Sequence, residues 1–439
     1  MQPRRRPHRP SLWLQILVFL AALVPARAYR HPGVVVSREQ MEFVKQKIAA
    51  GEEPWKSAFA KLKSSAQGSL SWQPKPRATV DCGPYSNPNN GCSEERDDAV
   101  AAYAHALQWY FTGNRANAQK AVDILNAWSA VLKGHTNSNA PLQAGWAAST
   151  SVRAAEIMRY TYDGWAPAEV ERFGNMLRTA YLPLFSTIGS GTNGNWHLIA
   201  YDAAMGIGVF LEDAKVFDTY VAKWRAHTRA YIYITEDGPT PIKPPGLTKN
   251  IVDHWYGMKT YMDGLAQETC RDFGHTGYGL AAINTGAETA LLQGLDLYGE
   301  ETKRIVAGME FHAEYNLGKA PPADLCGGSI SRSNSPTWEI SYNHFANRKG
   351  IAMPFSKRFI ETKLRPTGVD HHMAYETLTH ANTGSAGIIV SVLPRQVAPG
   401  TGMTRLVFDG RGRLQVIRPG LKGVRRFDAK GALLRLGIR

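Results

Sequence analysis

A chain of 439 residues that is 44% hydrophobic and 20% charged has the composition of a folded globular protein, which excludes a disordered one. The formal charge of +14 looks like that of a nucleic-acid binder, but it belongs to the two ends. Residues 1–28 carry five Arg and no acid, residues 385–439 carry eleven Lys/Arg against two Asp, and the rest holds 35 residues of each sign, so no nucleic-acid partner is expected.

Arg4, Arg5, Arg6 and Arg9 form a positive start, and Leu12 to Val24 is apolar except for Gln15. Ala26-Arg27-Ala28 then supplies a cleavage site, so residues 1–28 read as a signal peptide and the protein as secreted or periplasmic. The apolar run is too short to span a bilayer and none later reaches eighteen residues, so no integral membrane span is expected. Four cysteines in an exported chain favour disulfides. Cys82 and Cys92 enclose the turn-rich GPYSNPNNG stretch and are the preferred pair, leaving Cys270 with Cys326, although three connectivities are open. No Cys/His spacing suggests zinc, and His371-His372 has no partner at metal spacing.

From Asp97 the periodicity is helical: Val100, Tyr103, Ala104, Leu107 and Tyr110 recur at spacings of three to four, Thr112-Gly113-Asn114 breaks the run, and a second runs through Ala121, Ile124, Leu125, Trp128 and Leu132. Further helices are expected near 142–162, 167–186, 197–212, 214–231, 257–282, 284–298 and 300–316. Paired helices with short polar links and few strands predict an all-α body over 29–384, an (α/α) toroid of hairpins forming an incomplete barrel. Residues 385–439 form a small basic extension with β-like character. Within it Ile388 to Val392 is β-branched, and Phe408-Asp409-Gly410-Arg411-Gly412-Arg413-Leu414 recurs loosely as Phe427-Asp428-Ala429-Lys430-Gly431-Ala432-Leu433.

Chemistry-bearing residues concentrate in 267–278. On one continuous helix, Glu268, Arg271, His275 and Tyr278 would share a face about 80° wide. Gly274, Gly277 and Gly279 weaken that helix by roughly 1 kcal/mol each, which calls for a compensating close approach. A second cluster, Asn193-Gly194-Asn195-Trp196-His197, leads into an apolar helix, and His254 and the Trp338–His344 segment are further polar candidates.

These two motifs, about seventy-five residues apart, resemble the alginate-lyase superfamily of (α/α)-toroid polysaccharide lyases, and the chain is most similar to its glucuronan and alginate lyase branch. The resemblance covers roughly 30–384. It implies β-elimination on a 4-linked uronic-acid polymer with Asn195, Arg271, His275 and Tyr278 as the catalytic group. In the family a His directly follows the Asn of the loop; here Trp196 stands in that place.

The residue types suit that reaction. Asn195 and Arg271 could neutralise the uronate carboxylate and stabilise the enolate-like charge. A histidine would take the C5 proton, His275 by its spacing, with His254 and His197 as alternatives. Tyr278 would protonate the departing O4. Gln143, Trp146, Trp196, Glu268, Tyr342 and His344 are candidate sugar contacts. The scheme needs neither metal nor cofactor. Its partner is an anionic polysaccharide, and the basic tail could add association with an anionic surface. Two rivals remain: an α/α glycoside hydrolase pairing Glu268 with Asp253 or Glu339, and a non-catalytic carbohydrate-binding protein.

Overall fold

Two kinds of helix build the body, and burial separates them. In the computed structural model, which describes residues 28–384 and four short strands beyond them, α1 (Arg38–Ala49) and α2 (Trp55–Ser64) precede a series of hairpins. The series runs α3 (Cys92–Thr112), α4 (Arg115–Val131), α5 (Ala140–Thr161), α6 (Pro167–Met176), α7 (Gly194–Phe210) and α8 (Ala214–Tyr231). After the short α9 (Ile251–His254) come α10 (Phe273–Leu292), α11 (Leu297–Glu300) and α12 (Thr302–Asn316). Fifteen of the seventeen residues of α7 are buried against eight of the eighteen in α8, so α7 is walled on all sides and α8 shows one face to solvent.

Helices α3, α5, α7 and α10 are the inner set, each packed on the next in that order, while α4 and α8 back them from outside. This is the all-α toroid of helical hairpins. Its core carries Trp224, Trp255 and Trp338 with at most 2% exposure. Polar links cross it: Ser149 Oγ donates to Asp202 Oδ2 at 2.6 Å, and Arg153 Nη2 lies 3.6 Å from the same oxygen, joining α5 to α7.

Small strands dress the helix ends. β1 (Thr79–Cys82) pairs with β2 (Asn89–Asn90) and β3 (Gly134–Thr136), and β4 (Val369–Asp370) pairs antiparallel with β5 (Met373–Ala374). Both disulfides are formed, Cys82 with Cys92 and Cys270 with Cys326.

Residues 391–439 make a second compact unit, in which β6 (Arg405–Phe408), β7 (Leu414–Ile417), β8 (Arg425–Phe427) and β9 (Leu433–Leu434) form an antiparallel sheet in sequence order. Its two hairpins pair Phe408 with Leu414 and Phe427 with Leu433, the first and last residues of the two copies of the repeat. Residues 1–27, within the segment expected to be a signal peptide, and the run Ile388 to Val392 lie outside the described residues.

One expected helix is not there. Residues 268–278 do not form a continuous helix, because α10 begins only at Phe273. Asp272 is its N-cap, its side chain accepting from the His275 N–H at 2.7 Å, and Cys270 is tied to Cys326. In place of the expected helices at 257–282 and 284–298 there are turns, then α10 uninterrupted to Leu292, with α11 starting at Leu297. The glycines of α10 do answer to close approach. A Cβ on Gly279 would lie 2.4 Å from the Tyr231 ring of α8, and one on Gly277 would lie 2.2 Å from Ser335 Oγ.

Candidate active site

The inner helices bring their first turns to one rim. Arg96 stands near the start of α3, Gln143 and Trp146 near that of α5, Asn195 at that of α7, and His275 and Tyr278 at that of α10. Side-chain contacts join these ends. Arg96 Nη1 donates to Gln143 Oε1 at 2.5 Å and its guanidinium lies 5.6 Å from the Trp146 ring, which in turn lies 5.7 Å from Tyr278. Helix N-termini carry partial positive charge, so a rim made of four of them favours an anionic ligand.

Glu268 organises one side of the site. It is fully buried, and its carboxylate accepts from Asn195 Nδ2 at 2.8 and 2.7 Å, from Arg271 Nη1 at 2.9 Å and from the Tyr231 hydroxyl at 3.1 Å. It also accepts from the Asn195 backbone N–H at 3.3 Å, while Gln267 Oε1 accepts from Gly194 N–H at 3.0 Å. Two side chains from a neighbouring loop thus satisfy the first two orphan N–H groups of α7, a task the Asn193 side chain does not perform. This corrects two sequence expectations. Glu268 has no surface left for a sugar, and the Asn195 amide, 1% exposed, turns its Nδ2 toward both oxygens of Glu268. Arg271 keeps 22% of its side chain exposed and also reaches the hydroxyls of Tyr85 and Tyr256. Those two tyrosines, 87% and 40% exposed, both sit at positive φ, 52° and 53°.

The other side centres on Tyr278. Its hydroxyl is 3.3 and 3.4 Å from the two Asp370 oxygens and 3.1 Å from His371 Nδ1. Burial, and then the Asp370 charge and hydrogen bond, push its pKa well above the usual phenol value, so Tyr278 is held as a proton donor. His275 stands beside it, ring centroids 6.0 Å apart, with Nδ1 2.6 Å from Asp272 Oδ2. An Nδ1–H given to Asp272 leaves Nε2 as a proton acceptor. Arg271 Nε is 4.0 Å from the same Asp272 oxygen, which links the two sides.

The remaining candidates divide. Gln143 is buried and bridges Arg96 to Glu95, donating to Glu95 Oε2 at 2.7 Å, and Trp146 is half-buried with its ring 4.4 Å from His371. His197 is elsewhere: it is hydrogen-bonded to the Tyr201 hydroxyl at 3.1 Å and the Gly189 carbonyl at 3.2 Å. Burial and the neighbouring His227 push its pKa down to about 3. It lines a cavity of about 360 Å³ with Lys223 and His227, which includes none of Asn195, Arg271, His275 or Tyr278. His254 is buried close to these two histidines. Trp196 packs on the main core. His344 is a core residue, stacked on Tyr298 at 4.1 Å, and Tyr342 lies among Glu361, Arg365 and Glu339. The hydrolase pairs also fail, since Glu268, common to both, is fully buried and bonded to Asn195, Arg271 and Tyr231, and Glu339 is fully buried against Arg365 at 2.6 Å.

Sequence reasoning missed Arg96, Tyr85, Tyr256, Asp272, Asp370 and His371. Only Asp272 left a local signal, three residues before His275 at a helix start.

The family model described as alginate lyase matches residues 52–321. The chain belongs to this family. It is therefore a polysaccharide lyase. The alginate lyase A1-III of Sphingomonas species A1 superposes with a TM-score of 0.54 at 15% identity over 80% of this chain and 95% of that one. A variant of that enzyme complexed with a tetrasaccharide gives 0.54 at 17% identity, over 79% and 94%. An alginate lyase from Bacteroides ovatus gives 0.51 at 14%, over 80% and 99%. No curated protein sequence matches the chain.

Proposed function

We propose that this lyase cleaves a 4-linked uronic-acid polymer, alginate or glucuronan, by β-elimination without a metal, leaving an unsaturated uronate end. The observation that carries the reading is the Tyr278 phenol, kept protonated beside the Asp272–His275 pair with Arg271 on the same rim. In this scheme Arg271 holds the substrate carboxylate, His275 Nε2 takes the C5 proton, the C4–O4 bond breaks as C4=C5 forms, and the Tyr278 proton goes to O4. Asn195 acts through Glu268 by fixing where Arg271 points. Exposed Tyr85 and half-buried Trp146 offer ring faces for sugars.

The reading is tested by incubating the enzyme, with and without EDTA, with alginate, glucuronan and hyaluronan. Ultraviolet absorbance from unsaturated ends is expected on one of the first two and unchanged by EDTA. New reducing ends without absorbance would mean hydrolysis and overturn the reading.

Export of the enzyme is proposed on the strength of residues 1–28, with cleavage after Ala28. N-terminal sequencing of protein recovered outside the cytoplasm checks it. The basic residues of 385–439 support a role for that segment in holding the enzyme to an anionic surface.

A further inference from the structure

Tyr278 has partners that the elimination scheme leaves idle. Asp370 and His371 sit at the β4–β5 hairpin, where Asp370 pairs with Met373 across a turn made of His371 and His372. His371 takes φ 51°, a left-handed conformation that asparagine or glycine would adopt more cheaply in such a turn. The backbone thereby holds an imidazole against Tyr278, ring centroids 5.0 Å apart, with Trp146 at 4.4 Å on another side and 26% of the side chain still exposed.

Three polar atoms meet there. His371 Nδ1 is 2.5 Å from Asp370 Oδ1 and 3.1 Å from the Tyr278 oxygen, and that oxygen is 3.3 Å from Asp370 Oδ1. Before reaction the arrangement is satisfied, with the phenol and the imidazole N–H both directed at the carboxylate. Once the phenol proton has gone to O4, a phenolate faces a carboxylate. That is a costly pair in a half-buried place, and the His371 Nδ1–H is the donor positioned to relieve it.

We propose that His371, oriented by Asp370, is a positioning residue that returns a proton to Tyr278 after each elimination. The inference rests on the β-elimination reading above. In the step, the His371 Nδ1–H bond breaks and the Tyr278 O–H bond forms, while Nε2 takes a proton from water. Exchange with solvent, Nε2 giving up a proton as Nδ1 gains one, then restores the Nδ1–H for the next turnover. The proton gained from solvent replaces the one left on O4, and the C5 proton held by His275 returns to solvent, so the cycle balances. The charged and titratable groups around this triangle are Arg96 from α3, Asp272 and His275 from the start of α10, and Arg153 of α5 behind His372.

The test uses the full enzyme, the polymer on which it is active, and His371→Gln, His371→Ala and Asp370→Asn, each checked for wild-type thermal unfolding. His371→Gln is expected to lower kcat by about 10-fold or more with KM nearly unchanged. Its solvent deuterium isotope effect on kcat should rise as reprotonation becomes limiting, and added imidazole should restore part of the rate of His371→Ala. An unchanged kcat in His371→Gln overturns the relay. So does a lower kcat with the wild-type isotope effect and no imidazole rescue, which would mark a structural role. Should the His371 variants not fold, Asp370→Asn decides by the same isotope measurement. A wild-type enzyme that forms no unsaturated ends on any uronate polymer overturns the elimination reading and the relay with it, whereas an active wild type with an indifferent His371 overturns the relay alone.

Discussion

The Asn195 amide nitrogen bridges the Glu268 carboxylate: Nδ2 lies 2.8 and 2.7 Å from its two oxygens. The same carboxylate receives Arg271 at 2.9 Å, so one buried group fixes both residues. Breaking a buried charge pair by removing one partner costs about 3–5 kcal/mol. Glu268→Ala is therefore expected to lose stability on that scale in denaturant unfolding. Glu268→Gln should lose less, yet lower kcat/KM at least 10-fold by releasing Arg271. Full kcat/KM in Glu268→Gln would remove the positioning role.

Tyr278→Phe deletes the proposed acid and keeps the ring. Turnover should fall by about 10²–10⁴, the usual range for a general acid, with oligosaccharide binding retained in calorimetry. Retained turnover would take Tyr278 out of the mechanism.

The pH profile carries a sign. An acid must hold its proton, and a raised pKa keeps Tyr278 protonated further into alkali. Burial is the first cause of that shift, and the Asp370 charge and hydrogen bond come next, both raising it. Asp370→Asn removes the charge, lowers the phenol pKa, and should move the alkaline limb of kcat/KM to lower pH. A limb that stays, or moves upward, contradicts this assignment.

The histidines separate cleanly. His275→Gln should reduce kcat by about 10²–10⁴, because its Nε2 is the acceptor beside Tyr278. His197→Gln should stay within about 10-fold of wild type, since both ring nitrogens are engaged with Tyr201 and Gly189. The reverse order, read from initial rates, would return the base to the α7 loop.

The Cys270–Cys326 bond offers a further lever. Cys270–Cys326 closes a 56-residue separation next to Arg271, and a loop of that size contributes about 4 kcal/mol in the chain-entropy model. Cys270→Ser with Cys326→Ser should unfold at lower denaturant and bind substrate more weakly. A variant with wild-type KM would show that Glu268 alone holds Arg271.

What was legible in the sequence followed the strength of the local signal. The signal located α3, α4, α5 and α8 through apolar residues at helical spacing and α7 through a nearly unbroken apolar run, each bounded by breakers such as Gly113-Asn114. It overran at 257–272, where polar residues at helical spacing are held by the Asp272 cap and the Cys270–Cys326 bond in a non-helical turn. Arg271 and Tyr278 were found because their motif is contiguous. Arg96, Asp370 and His371 were not, because they reach Tyr278 from more than ninety residues away in the chain, and only the ring of helices brings them there. The His371-His372 pair lacks metal spacing, yet its first imidazole meets a phenol and a carboxylate.

The rim of four helix starts has a consequence for how a polymer is captured. The body has no net charge, and the field of a helix end fades within about one turn. Such a field cannot draw a polyanion from a distance; it can only discriminate once chain and rim touch. Encounter rates should thus be nearly indifferent to ionic strength for the body alone, and selection for acidic sugars becomes a matter of dwell time, not of arrival.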